Sequence, residues 1–178
     1  MSNTLNVLLA GFGGQGVLFA GKVLAITGLT DDRQVSWLPS YGPEMRGGTA
    51  NCSVVLSDEP IGSPNVLKPD VLIAMNQPSF DKFVNEVVPG GVIIADNSLV
   101  LEIPEVENVT IHKIPATQLA LDNGLKGLAN VICLGKLFSV VNICSDETVQ
   151  AAIEGAVPPS KADKLVLNRK ALEIGAAN

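Results

Sequence analysis

Apolar residues along this chain fall into short unbroken runs and into runs with a three-to-four-residue beat. Asn6-Val7-Leu8-Leu9-Ala10 is an unbroken run stopped by glycines, the pattern of a strand buried on both faces. Val17, Leu18, Ala20, Val23, Leu24 and Ala25 follow at helical spacing with Gly28 closing the segment, so the chain opens strand, glycine turn, helix. Gln34–Leu38 and Thr49–Leu56 predict two further strands, the second alternating in polarity, and Pro39–Gly48 between them is too rich in Gly and Pro for regular structure. Asp70–Met75 and Gly91–Asp96 predict buried strands. They flank a helix that carries Phe80, Phe83, Val84 and Val87 on one face. Val109–Ile114 predicts a strand, and Thr117–Asn123, Asn130–Asn142 and Asp146–Val157 predict helices. Lys161–Ile174 is a last amphipathic helix or a docking tail. Strands alternating with helices imply a mainly parallel sheet covered on both faces, with sites at the carboxyl ends of the strands.

Composition narrows the function classes. The 178 residues suit one domain, with no repeat or linker, but only 17% are charged, against about 25% in ordinary soluble domains. Such a chain is expected to be buried in a membrane or in partners. The longest uncharged run, Met1–Gly21, is broken by five glycines and by Asn3, Asn6 and Gln15, which excludes a spanning helix. No Lys or Arg precedes the apolar stretch, which argues against a signal peptide and for the cytoplasm. The net charge of −6 speaks against nucleic acid. Cys52, Cys133 and Cys144 stand far apart and His112 is the one histidine, so neither a disulfide framework, a zinc site nor a four-thiolate iron–sulfur cluster is signalled. The three cysteines are expected to be packing residues and His112 a structural one.

Gly11-Phe12-Gly13-Gly14-Gln15-Gly16 fits G-x-G-x-x-G between a strand and a helix. Residues without Cβ let backbone N–H groups approach an anion at the positive end of a helix, so phosphate is the natural ligand. A tight strand-to-helix turn needing glycine for packing alone is the plainer alternative. An NAD site would also place a carboxylate at the end of the second strand. Leu38-Pro39-Ser40 has none. Lys22 lies six residues beyond Gly16, where it cannot act as the lysine of a nucleotide-triphosphate loop. The expected architecture is therefore a single-domain, Rossmann-like three-layer α/β fold that binds a phosphate-bearing ligand without nicotinamide chemistry. Asp96, at the end of a buried strand, is accounted for by a turn with Asn97 and Ser98.

Ser40-Tyr41-Gly42-Pro43-Glu44-Met45-Arg46-Gly47-Gly48 follows the second strand and should project over the same edge as the glycine turn. Arg46 there could clamp a phosphate with its planar fork and Glu44 could orient it or meet a partner. A solvated ion pair is the alternative for charged loop residues in general. Together, Leu9-Ala10-Gly11-Phe12-Gly13-Gly14-Gln15-Gly16-Val17 and Ser40–Asn51 resemble the gamma subunit of 2-oxoacid:ferredoxin oxidoreductases, the 2-oxoglutarate type in particular, and the similarity runs from about Val7 to Val157. That makes residues 161–178 a terminal helix or tail beyond the family's core.

The resemblance implies a complex that decarboxylates a 2-oxoacid on thiamine diphosphate with Mg, passes electrons through iron–sulfur clusters to ferredoxin or flavodoxin, and hands the acyl group to coenzyme A. It implies alpha, beta and ferredoxin-like delta partner subunits that hold the thiamine and the clusters, with this chain contacting coenzyme A and inactive alone. Under it, Gly11, Gly13, Gly14, Gln15, Gly16, Val17, Glu44 and Arg46 form the coenzyme site. Asn130 is a further contributor, or an N-cap of its helix. Two other readings stay open from the residues alone: a free-standing nucleotide- or coenzyme-A-binding protein, and a Rossmann-like enzyme with its own cofactor. The pyruvate and branched-chain subtypes share these motifs. Lys22 is the one charge in residues 1–30, which forecasts that the N-terminal half faces partner chains, or a second copy when the chain is isolated.

Overall fold

The computed structural model describes residues 4–41 and 49–178. Six strands, β1 (Thr4–Phe12), β2 (Gln34–Tyr41), β3 (Thr49–Ser57), β4 (Val71–Ala74), β5 (Val92–Asp96) and β6 (Thr110–Ile114), form one sheet in the order β2-β3-β1-β4-β5-β6. β1, β4, β5 and β6 pair in parallel, while β3 runs antiparallel to both β1 and β2. Five strands thus share one direction, as the mainly parallel expectation requires. The exception has a simple cause: only residues 42–48 separate β2 from β3, and a return to a parallel strand takes a dozen residues or more.

Six helices cover the sheet: α1 (Val17–Thr30), α2 (Gln77–Phe83), α3 (Ala116–Asp122), α4 (Ala129–Val140), α5 (Asp146–Ala156) and α6 (Asp163–Ala177). Alternation along β1 divides the core. Val7 and Leu9 face a large cluster with Val23 and Leu24 of α1, Ile132 of α4, Ile153 of α5 and Leu172 of α6. Leu8 faces a smaller one with Phe80 of α2, Leu72, Ile93 and the loop residues Val66 and Val100. The layers are therefore unequal, with α2 alone on the second face. After Phe83 the chain tightens into a 3₁₀ turn (Val84–Glu86) and Val87 is extended, so the helix on that face is shorter than its apolar spacing suggests.

Of the two alternatives for the segment after residue 160, the structure has the helix: α6 lends Ala171 and Leu172 to the large cluster. It crosses α4 so tightly that a Cβ on Gly135 would meet the Leu172 carbonyl and one on Gly175 the Ile132 carbonyl. The charge-poor α1 is accounted for within the chain: eight of its fourteen residues are buried between the sheet and α5, and Lys22 Nζ reaches the Ala156 carbonyl at the end of α5 (3.5 Å). Part of the low charge in residues 1–30 thus reflects packing within the chain. No helix among the described residues is long and apolar enough to cross a membrane.

Candidate functional site

The carboxyl ends of β1 and β4 meet at the glycine turn. Phe12 closes β1, and the Gln15 N–H donates to its carbonyl (3.1 Å), folding Gly13 and Gly14 outward. Gly14 and Gly16 have φ of +102° and +75°, left-handed conformations in which any side chain is strained. Gln15 turns inward. Its Oε1 accepts from the Phe12 N–H (2.6 Å) and from Asn76 Nδ2 (3.0 Å), and its Nε2 donates to the Met75 carbonyl (2.9 Å). Asn76 Oδ1 in turn accepts from the Ser79 N–H and caps α2. One glutamine therefore ties β1, the end of β4 and the start of α2 together. With its amide engaged within the protein, Gln15 acts on the loop as a positioning residue.

Gly11, one residue before the end of β1, packs on Gln15 and Val17, and Val17 is a core side chain whose backbone begins α1. That helix starts at Gly16 without a capping side chain. The first N–H groups of a helix lack intrahelical acceptors and carry the positive end of its dipole, so the turn presents donors to an anion. Among the described residues nothing lies within 4 Å of where a Gly14 Cβ would stand.

Asn130 corrects one expectation. α4 starts at Ala129 with Leu128 as N-cap and no capping side chain, so Asn130 is not the cap. Its side chain crosses instead to the glycine turn, where Nδ2 donates to the Gly16 carbonyl (2.9 Å). It lies so close that a Cβ on Gly16 would stand 2.5 Å from that nitrogen. Asn130 Oδ1 is buried and has no donor among the described residues, and the same holds for Oδ1 of Asn168 on α6, whose Nδ2 donates to the Lys164 carbonyl (2.8 Å).

Two clefts flank the turn. One, of about 240 Å³, is lined by Gly14, Gln15, Met75, Leu99, Thr117 and Leu121. The other, of about 210 Å³, is lined by Gly16, Phe19, Asn130, Lys161, Lys164 and Asn168. Gly127 lines both, Lys126 lines the first, and among the described residues no carboxylate lines either. Among the described residues none of these three lysines is in a salt bridge, so the edge is positive in a chain of net charge −6. Glu44 and Arg46 lie outside the described residues. The flanks of their loop reach this edge, with Thr49 opposite Phe12 and Tyr41 opposite Ala50.

Asp96, away from the turn, has a structural part. Asp96 accepts from the Thr117 hydroxyl (2.6 Å), the Thr117 N–H (3.2 Å) and the Ser98 N–H (3.1 Å), which pins α3 to the end of β5. Burial pushes the Cys52 thiol up to about 12 and raises that of Cys133 well above its ordinary range, so neither is a ready thiolate ligand. Among the described residues no group of three or more His, Cys, Asp or Glu could hold a metal ion. Burial and then the charge of Lys136 hold the His112 pKa below its usual value. Sequence reasoning did not reach Asn76, Lys126, Lys161, Lys164 or Asn168. The lysines look like the polar face of an ordinary amphipathic helix until the fold sets them beside Gly16.

Residues 6–178 match the family model described as pyruvate ferredoxin/flavodoxin oxidoreductase. The 2-oxoglutarate synthase subunit KorC of Methanocaldococcus jannaschii is 41% identical over 165 residues, covering 90% of this chain and 88% of its own. The ketoisovalerate oxidoreductase subunit VorA of Methanothermobacter marburgensis is also 41% identical, over 97% of this chain but only 36% of its own length. Among solved structures, the keto/oxoacid ferredoxin oxidoreductase gamma subunit of Geobacter sulfurreducens superposes with a TM-score of 0.82 at 30% identity, covering 97% of this chain and 96% of that one. The 2-oxoglutarate:ferredoxin oxidoreductase of Magnetococcus marinus, solved with 2-oxoglutarate, coenzyme A and succinyl-CoA bound, shares the fold with a TM-score of 0.86 at 24% identity, over 98% of this chain and 30% of that one. Motif, fold and near-full-length similarity converge: the chain belongs to the pyruvate ferredoxin/flavodoxin oxidoreductase family, in its gamma-subunit form.

Proposed function

We propose that this chain is the gamma subunit of a 2-oxoglutarate:ferredoxin oxidoreductase and contributes the coenzyme A side of the reaction, in a complex whose alpha, beta and ferredoxin-like delta chains hold thiamine diphosphate, Mg and the iron–sulfur clusters. The observation that carries this reading is the uncapped start of α1 behind a glycine turn, flanked by clefts that bear lysines and, among the described residues, no carboxylate. That donor set fits a diphosphate, and coenzyme A is the phosphate-bearing participant of this chemistry. Its presence in the Magnetococcus marinus enzyme of the same fold is consistent with the reading.

Coenzyme A, once bound, supplies the thiol that accepts the acyl group. The chain's own part is to bind and orient it. Backbone N–H groups of Gly14, Gly16 and Val17 face the diphosphate, Gln15 and Asn130 hold the turn in shape, and the resemblance adds Arg46 and Glu44 to the site. Similarity to KorC supports the 2-oxoglutarate subtype. The equal identity to VorA supports a ketoisovalerate enzyme as the second reading. The test is steady-state kinetics of the assembled complex with 2-oxoglutarate and with 2-oxoisovalerate, repeated with Arg46→Ala. The reading expects 2-oxoglutarate to give the higher kcat/KM and Arg46→Ala to raise the KM for coenzyme A about tenfold, the scale of a lost charge-assisted pair. A preference for 2-oxoisovalerate would favour the second reading. An unchanged KM would remove Arg46 from the site.

A further inference from the structure

The sheet ends in two strands of opposite character. β6 is five residues long and carries His112 and Lys113, and a short, charged edge is a common guard against pairing with another chain. β2 is eight residues long, Gln34-Val35-Ser36-Trp37-Leu38-Pro39-Ser40-Tyr41, and carries no charge. Among the described residues its one strand partner is β3, so its outer edge is unpaired. Pro39 lies in that ladder opposite Cys52, and a proline is tolerated in an edge strand where its missing N–H would point away from the neighbour. Peptide groups alternate along a strand, so the N–H and C=O groups of Val35 and Trp37 point outward too. Beside this edge runs a flank of α1. A Cβ on its Gly21 would meet Trp37, and one on its Gly28 would meet Val35. Leu18, Ala25 and Leu29 recur at helical spacing next to those glycines. Trp37 is 40% and Leu29 60% exposed, so unpaired backbone groups and apolar side chains lie along one line.

We propose that β2 pairs with β2 of a second copy of this chain, across a two-fold axis at Ser36, joining the two sheets into one. The strand is complementary to itself. In the antiparallel register centred on Ser36, Val35 of each copy stands opposite Trp37 of the other, and the two exchange N–H···O bonds. Pro39 falls outside these pairs, so its missing donor is not called on. No charged residue of β2 meets its like, whereas a charged partner strand would set its charges against an uncharged edge. With the axis normal to the sheet, both α1 helices lie on the same face, and Leu18, Ala25 and Leu29 of one copy approach those of the other. Tryptophan is enriched at the centres of interfaces, which is where this register puts Trp37. Apart from Lys22, which reaches α5, neither α1 nor β2 carries a charge. The self-pair covers the part of that charge-poor surface that packing within the chain leaves exposed.

The test is sedimentation equilibrium of the full chain at about 100 μM, where even a weak dimer forms. The parent should show twice the 18.5 kDa mass of the chain. Ser36→Lys and Ser36→Glu each set two like charges opposite one another at the axis, and each should raise the dimer Kd about a hundredfold or more. Mixed in equal amounts, the two variants should form a dimer again, with one lysine facing one glutamate, which misfolding of either variant would not produce. Leu29→Glu, at an exposed site on α1, should weaken the dimer about tenfold, and no change there overturns the meeting of the two helices at the axis. A monomeric parent overturns the proposal, as do single variants that stay dimeric or a mixture that stays monomeric. A monomeric parent whose assembly with the alpha and beta chains is blocked by Ser36→Lys would give this edge to a different subunit and exclude the second copy.

Discussion

The two sides of the glycine turn are built on opposite principles. On the Met75 side each group of the Gln15 amide has a partner within the chain, and Asn76 hands the network on to α2. On the Asn130 side, among the described residues, the nitrogen of each asparagine is paired while its buried oxygen is not, and the lysines form no salt bridge. The first side is complete without a ligand and serves as a frame. The second has spare capacity for hydrogen bonds and for charge. The loop itself has the same sequence whichever side faces it, so the difference between frame and receptor lies in residues sixty or more positions away.

The strongest way to break the comparison is to move the receptor side away from the frame. In Gly135→Ala the new Cβ would stand against the Leu172 carbonyl, where both parties are backbone and cannot swing aside. α6 must then shift off α4, carrying Lys164 and Asn168 with it. We expect a loss of about 3 kcal/mol of stability in urea unfolding, the upper range for overpacking, with weakened coenzyme binding in whatever folds. A variant of parental stability would mean that the α4–α6 crossing is looser than it looks.

The next effect tests the frame. Gln15→Leu keeps the side-chain volume close but strands the Asn76 amide and the Met75 carbonyl, both in partly buried surroundings, whereas water can reach the Phe12 N–H. A loss of about 2 kcal/mol is expected, together with faster amide exchange at Phe12 and Gln15 as the turn loses its brace. If stability and exchange are both unchanged, Gln15 is not what shapes the turn.

How much of this was legible in the sequence follows the range of the forces involved. β1, β4 and β5 are unbroken apolar runs, and burial on both faces leaves no other use for such runs. The G-x-G-x-x-G turn was likewise readable, because its requirement is local: glycines at left-handed φ between a strand and a helix. The reversed β3 could have been read, since the stretch from Pro39 to Gly48 is too short for a crossover. Asn130 could not, because its partner is the Gly16 carbonyl, 114 residues away, and its place near the start of α4 made capping the natural expectation. Lys161, Lys164 and Asn168 acquire their meaning only from the tight crossing that brings α6 beside the turn. For Glu44 and Arg46 the resemblance remains the sole basis of their assignment.

The smallest expected effect is the most discriminating. Asn168→Leu removes one hydrogen bond to the Lys164 carbonyl, and that carbonyl belongs to a helix whose own ladder already offers it a donor. It also removes a buried oxygen that has no donor at all. The two terms oppose each other, so the stability change should stay within about 1 kcal/mol, in contrast to Gln15→Leu, where only satisfied bonds are lost. Coenzyme A affinity should nevertheless fall by a few fold, because the acceptor that a bound donor would satisfy is gone. A clear stability loss with unchanged affinity would show that Asn168 is already fully satisfied, by water or by the chain, and would make the two sides of the turn alike. A neutral change in stability beside a measurable loss of binding is the signature of a residue held in place for a ligand rather than for the fold.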